Sequence, residues 1–529
     1  MELSSSILRD KPPPVTELRA DVPTALQKIV DCCLAKETTD RYGSARELRE
    51  ALERLRREVT SAVRSHKAGA SNEASIAVLP FTSVSADPEN EFFADEITEE
   101  IINALTQTEQ LRVAARTSAF SFKGKHVDLR IVGDRLNVNT VLEGSVRKAG
   151  NRVRIIAQLV NVADGYHLWS ERYDRELKDI FEVQDEIASA IAGHLKIALK
   201  TGQQPSVKAR TSNLEAYQLY LKGRALLYRR GLDIRRSAQC FERAVALDPQ
   251  YALAWSGLAD AHVLLGFYGF ERPKATMPQA KEASTRAVAL DPMLAEAHCS
   301  LACVHTLYDW EWTKAEQEFL RALALNPRYV QNLDWYAAFC LAWIEGRFDE
   351  SIAVAKQAVE YDPLSAYAHA MLAQVYFSAG RSAEAVLAAN SARELEESFF
   401  TFWTSQTAFY WDRQFDKAVA AGEMALALSG RHAATLSLQA TILADWGKIA
   451  DAQAIYGELV ARAGRDYIQP SQLAGAASAA GEIDLAVAYT REAFEVRDPS
   501  LVTAKFHPAY ERLRHDPRFD EILARMGLK

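Results

Sequence analysis

From residue 213 onward, apolar positions recur with the 3.6-residue period of amphipathic helices almost without a break. A longer period overlies this one. The phrase A-x-x-L-x-P, with one tyrosine variant, recurs as AVALDP ending at Pro249, AVALDP at Pro292, ALALNP at Pro327 and AVEYDP at Pro363. The gaps are 43, 35 and 36 residues. Asp-Pro or Asn-Pro stops one helix, and the proline is then tolerated where the next begins. Small residues recur where paired helices must approach closely: Ala259 beside Trp255 and Leu258, Ala302 beside Leu301, Ala373 beside Leu372. Turn signals stand at Gly346-Arg347, Gly380-Arg381 and Gly447-Lys448. More degenerate units are predicted over 398–430, 431–464 and 466–498, with the first starting near Asn213, about eight in all. An ordinary bundle would reproduce neither the period nor the stops, so the pattern predicts a solenoid over 213–498. Residues 499–529 predict a capping helix that shields the last unit. The extra residues at 266–278 predict a long projecting loop.

Upstream the pattern changes. Over 75–200, SIAVLPF (75–81) reads as a buried strand and EFFADEITEEIINAL (91–105) as an amphipathic helix with acids in its first turns. The stretch 140–173 alternates apolar and polar residues around Ala149-Gly150-Asn151, a hairpin signature. Residues 1–58 predict two short amphipathic helices after a proline-rich start. Polar linkers are expected at 59–74 and 201–212. The fold class is mainly α: a helical solenoid preceded by a small α/β domain and a short helical segment.

The repeated segment resembles tetratricopeptide proteins, and YDWEWTKAEQEFLRALALNP (308–327) is similar to the variety found in bacterial signalling proteins. Residues 75–200 resemble the TolB amino-terminal-like domain, on SIAVLPF, LRVAARTSAFSFKGK (111–125), TVLEGSVRKAGNRVRIIAQLVNVADGYHLWSERYDREL (140–177) and IFEVQDEIA (180–188). Residues 7–55 resemble the last subdomain of bacterial serine/threonine protein kinases, where the residue matching Arg41 pairs with a glutamate of the activation segment. That glutamate is missing here, as are G-x-G-x-x-G, V-A-I-K, H-R-D and D-F-G. With no phosphate clamp, metal-binding aspartate or base, the chain is not a working kinase. Together the three resemblances imply the C-terminal part of a kinase–sensor–repeat protein, through either a late-assigned start or a trimmed kinase half.

Composition narrows the chemistry. A net charge of −8 over 529 residues gives no general attraction to nucleic acid or anionic lipid. No apolar run is long enough to span a bilayer, and a cytoplasmic location is expected. Cys299 and Cys303, near His298 and His305, read as packing residues rather than metal ligands, and no cofactor is expected. Motifs for hydrolases and nucleotide-binding enzymes are missing. Between 83 and 110 lie eight acids and no Lys or Arg, while 112–154 holds ten Lys or Arg against three acids. Arg112, Arg116, Lys123, Lys125 and Arg147 are therefore candidates for an anion surface, set against solvated strand edges. In tetratricopeptide arrays the first helix of each unit lines a concave groove that takes peptides. That resemblance assigns Leu253, Ser256, Asp260, Glu296, Cys299, Cys303, Tyr367, Ala370 and Gln374 to the groove. Carboxylate-clamp Lys and Asn are missing there, so chaperone tails are not expected partners. The reading is a non-catalytic scaffold or regulatory module for protein partners. Its rivals are the regulatory part of a kinase and an anion sensor.

Overall fold

The computed structural model describes residues 24–49, 51–52, 54–55, 74–83, 88–106, 111–125, 127–176, 180–195, 211–231 and 233–528. The first 23 residues of the kinase-like segment and most of both expected linkers lie outside these. The chain divides into two units, Met1–Glu73 and Ala74–Lys529. In the first, a helix at Thr24–Cys33 leads to a 3₁₀ turn at Thr38–Asp40. Arg41 Nε fastens that turn by donating to the Ala35 carbonyl at 2.8 Å.

The second unit opens with a mixed sheet of β1 (Ala74–Val78), β2 (Thr82–Ser83), β3 (Leu111–Val113), β4 (Thr140–Ala149), β5 (Arg152–Asn161) and β6 (His167–Glu176). The order is β3-β1-β4-β5-β6, with β2 also pairing to β4. β3, β1 and β4 run parallel, while β4, β5 and β6 are antiparallel. The expected hairpin turns at Gly150, whose φ of +60° suits a residue without a Cβ. One sheet face is covered by helices Pro88–Thr106 and Ile180–His194, which bury Ile97, Ile101, Ile187 and Ile191. The other carries Val132 and Leu136 from helix Leu129–Leu136, and Leu364 from the repeats packs against that core.

Eight helix pairs follow, from Leu214–Arg229 with Asp233–Leu247 to Pro470–Ala480 with Ile483–Glu495. The Asp-Pro stops work differently from the expectation. Helices end at Leu247, Leu290, Leu325 and Tyr361, and the next ones begin three residues beyond each proline. The proline thus sits in the turn rather than in the first helical position. Its neighbour shapes that turn: Asp248, Asp291 and Asn326 accept the N–H two residues on, at 2.9, 2.9 and 3.1 Å. Trp255, His298 and His369, each six residues past a proline, donate back to that proline's carbonyl at 2.9–3.0 Å. The phrase is a hydrogen-bonded corner. The predicted turns at Gly346, Gly380 and Gly447 all adopt positive φ.

Residues 266–278 do not project. The first helix of that unit runs to Phe267 and the second starts at Pro273, leaving a short link. The link is consumed in closing the array on itself. His432 Nε2 donates to the Tyr268 carbonyl at 2.8 Å, and Gln469 Nε2 reaches the carbonyls of Gly266 and Phe267 at 3.3 Å. Further round, Arg497 Nη1 reaches the carbonyls of Tyr308 and Asp309, and Trp312 Nε1 donates to the Met526 carbonyl at 3.1 Å. The final helix, Pro517–Met526, buries Phe519, Ile522 and Met526 against the last pair, as a cap should.

Within the first units, the fully buried Phe241 ring fills the space left by two glycines. A Cβ on Gly223 would lie 2.7 Å from that ring, and one on Gly257 2.5 Å from it. Gly257→Ala should therefore lower stability by about 1–3 kcal/mol through overpacking. Gly457→Ala, whose Cβ meets open space, should instead stabilise its helix by up to about 1 kcal/mol. Urea denaturation of both variants checks the contrast.

Candidate functional site

The nine groove positions do not line one open channel. Ser256, Asp260, Cys299, Cys303, Ala370 and Gln374 are buried, and Leu253, Glu296 and Tyr367 are half-buried. The closure of the array takes up the concave side, which local helix patterning could not reveal. The nine instead separate into three places.

The first is a polar knot between units. Asp260 Oδ1 accepts from Ser300 Oγ at 2.6 Å, and Oδ2 accepts from Gln331 Nε2 at 2.8 Å, joining three successive units. Leu253, Ser256 and Glu296 sit around the same cleft with Arg224, Arg230 and Tyr329. Its free space is no more than a water requires. Burial pushes the Asp260 carboxyl up to about 6, with the Ser300 and Gln331 hydrogen bonds opposing it. Tyr367 belongs beside this knot: its hydroxyl accepts from Trp335 Nε1 at 2.9 Å, and the Arg230 guanidinium lies over its ring.

The second place is core. Cys299 and Cys303 are fully buried against each other, and burial raises both thiols. His298 is engaged by Glu318 and the Pro292 carbonyl. The grouping with metal-ligand spacing among the described residues is a different one, His305, Asp309 and Glu311. There the Lys281 ammonium already neutralises Asp309 at 2.8 Å.

The third place, reached by Gln374, is an interior chamber of about 80 Å³ with an open mouth. Its walls come from both ends of the array. Ala370 is buried one turn earlier on the same helix, Ala366–Ser378.

The lopsided charges of the α/β domain face each other across the fold. Arg116 Nε donates to Glu99 at 2.6 Å, and Lys123 Nζ bridges Asp95 at 2.6 Å and Glu91 at 2.8 Å. Arg112 is half-buried on β3, while Lys125 and Arg147 are exposed in a turn and on β4. Two of the five candidate anion ligands are thus held by the acidic block itself. Arg224 of the first repeat also reaches Glu99, at 3.2 Å. Burial works to raise Glu99, yet the two guanidiniums outweigh it and hold the carboxyl below its ordinary range.

A second joint lies near this one. In the fourth corner phrase, Asp362 does not hold its own turn. Its Oδ1 accepts from the Ser118 N–H at 2.9 Å and from Ser118 Oγ at 2.5 Å, and Ser118 Oγ accepts from Leu364 N–H at 2.8 Å. A serine of the α/β domain completes the repeat's turn. Arg328 Nη1 adds a bond to the Leu111 carbonyl at 3.1 Å. Sequence reasoning missed Ser118, Glu99 and Arg224. The one available sign was the pair of opposed charge blocks.

With this geometry in place, the family matches can be placed on it. The tetratricopeptide repeat model matches residues 220–268 and 336–397. The model of the HilA/YgeH-like transcriptional regulator second domain matches 71–190, the stretch whose motifs resemble TolB. The helical array is built of tetratricopeptide repeats, and the α/β domain is similar to the HilA/YgeH-like regulator second domain. It is 45% identical over 187 residues to "Putative adenylate cyclase 3" of Rhizobium meliloti (strain 1021), covering 35% of this chain and 32% of that protein. The match therefore spans about a third of that curated relative. Similar solved structures include the APC/C hetero-tetramer Cut9–Hcn1, at 14% identity, 65% and 59% coverage and a TM-score of 0.40. Pseudomonas aeruginosa pilF matches at 20% identity, 47% and 96% coverage and a TM-score of 0.28. No helix of the chain, among the described residues, is long and apolar enough to cross a membrane.

Two outcomes are expected from these joints. Ser118→Ala removes the two hydroxyl bonds, to Asp362 and from the Leu364 N–H, and keeps the backbone N–H bond to Asp362. It should speed hydrogen exchange at the Leu364 amide and cost about 1–3 kcal/mol, read by exchange mass spectrometry and urea titration. Asp260 carries a raised carboxyl, so its contribution is complete below its ordinary pKa of about 4 and is lost as pH rises through about 6. Asp260→Asn should therefore flatten the fall in thermal midpoint between those pH values relative to wild type.

Proposed function

We propose that this chain is a non-catalytic regulatory module of bacterial signalling, in which the repeat array engages a protein partner and the α/β domain passes the event to an output domain. The observation that carries the reading is the joint of Glu99 with Arg116 and Arg224, reinforced by Ser118 and Asp362. Buried charge pairs and shared turns give two domains one defined orientation, which a relay needs and a flexible tether does not. The relatives fit this reading. The α/β family is described for transcriptional regulators, whereas the Rhizobium relative is named as a cyclase, so similar regulatory parts accompany different outputs. The TolB-like resemblance is compatible with the same role.

Partner contact is assigned to the outer face of the array, because the concave side is engaged by its own C-terminal region. Leu387, Met424 and Leu428, on the second helices of the fifth and sixth pairs, are 67%, 48% and 53% exposed. The likeness of residues 7–55 to a kinase C-lobe supports a second reading, with a kinase as the output.

Two assays on the purified chain test the proposal. With Mg·ATP or Mn·ATP it should form neither cyclic AMP nor phosphoprotein. Cross-linking in lysate of its own cells should enrich one partner through peptides of 382–429, and Leu387→Asp with Met424→Asp should remove that enrichment. Turnover by the chain alone, or enrichment indifferent to both substitutions, would refute it.

A further inference from the structure

The interior chamber is left unused by the joints and the outer face. Helix Ala252–Phe267 and the link after it supply Phe267 and Tyr268, the middle of the array supplies Trp343 and Trp403, and the C-terminal region supplies Phe506 and Tyr510. The middle wall has a structural cause. The helix that starts at Val330 widens into π-helical turns over Tyr336–Glu345, along which Trp335, Phe339 and Trp343 form a ladder with neighbouring ring centroids 5.9 and 4.9 Å apart. Phe267 joins this ladder at 5.7 Å from Phe339. Rings from distant parts of the sequence are thus brought around one concave space, the usual architecture of a small-molecule site.

The lining chemistry narrows the occupant. No Asp, Glu, Lys or Arg is among the described residues that line the chamber. Its two histidines, His432 and His507, are each drawn down to about 4, by burial first, and so stay neutral near pH 7. A charged ligand would leave water without meeting a counterion, which is strongly unfavourable. Three lining residues carry a polar atom that has no partner: Trp403 Nε1, Thr404 Oγ1 and His432 Nδ1. Trp403 Nε1 can only donate. His432 gives its Nε2 proton to the Tyr268 carbonyl, which makes its Nδ1 an acceptor. Thr404, 1% exposed, can do either.

We propose that this chamber binds an uncharged, ring-bearing small molecule, such as a neutral aromatic heterocycle or amide. This site is independent of the partner face, so either assignment can fail while the other stands.

The test uses the full chain and two neutral probes, 5-fluoroindole and 4-fluorobenzamide, followed by fluorine NMR. At least one should bind saturably to a single site. 5-Fluoroindole-3-acetate, which adds a carboxylate, should bind at least about tenfold more weakly than 5-fluoroindole, a gap of about 1.4 kcal/mol. Ala434→Phe and Ser378→Phe, which fill the chamber from two sides, should each weaken binding by about tenfold or more while thermal melts stay cooperative. Should either substitution unfold the chain, photo-labelling of wild type with a neutral diazirine-bearing indole locates the site, and labelled peptides should contain Trp403 or Phe506. Failure of both neutral probes to saturate, equal binding of the carboxylate, or labels confined to other regions would overturn the proposal.

Discussion

The arrangement of the repeats depends on how one amide is satisfied. Gln469 Nε2 faces the carbonyls of Gly266 and Phe267, the Asp498 carboxylate at 3.0 Å and the Ser500 hydroxyl at 3.4 Å. Asp498 is fully buried and also accepts from the N–H groups of Ser471 and Ser500. A helix-pair stack ordinarily meets only its neighbours along the chain. Here a side chain from the eighth pair satisfies backbone carbonyls at the end of a helix in the second, so the stack becomes a closed ring. The close approach leaves no room at Gly269, where a Cβ would lie 2.5 Å from the Gln469 side chain. Closure converts a concave groove into an interior and moves the accessible surface to the second helices.

Closure bears on the α/β domain as well. Its joints fall on the first pair, through Arg224, and on the corner at Asp362 before the fifth pair. An open stack can flex between such distant units, whereas one tied at Gln469 holds them at a fixed separation. Both joints require that fixed separation. The buried carboxylate of Glu99 serves two guanidiniums, and loss of Glu99 leaves both without that counter-charge. Such a joint contributes little net stability against an apolar equivalent.

The parts that could be read from sequence are those set by neighbours within one or two turns. The corner phrases, the Gly turns at 346, 380 and 447, the β4–β5 hairpin and the final cap all follow from local backbone chemistry. The role of proline was misread because the side chain before it, not the ring, organises the turn. The 266–278 segment looked like an insertion because its partners, His432 and Gln469, lie far away in sequence. The groove positions were assigned on the premise of an open array. Once the ring closes, Asp260, Cys299 and Cys303 become interior. The charge blocks were visible as composition, but only three-dimensional pairing shows that Arg116 and Lys123 are occupied by Glu99 and Asp95.

The distribution of charge ties these observations together. In a low-dielectric interior, an ionised group persists only beside its counter-charge, and a polar one only with a hydrogen-bond partner. The domain joint meets the first condition with Glu99 between two arginines, and the knot around Asp260 is met partly by a raised carboxyl pKa. The chamber's described lining contains no charged side chain, although charged residues make up 25% of the chain. Its wall is built of rings, small hydroxyls and amides drawn from the second pair, the fourth to eighth pairs and the C-terminal turns. Packing alone would favour aliphatic filling of such a space, because a void costs its lining residues their dispersion contacts. Keeping the space open, uncharged and aromatic therefore carries an energetic cost that the rest of the folded array must offset.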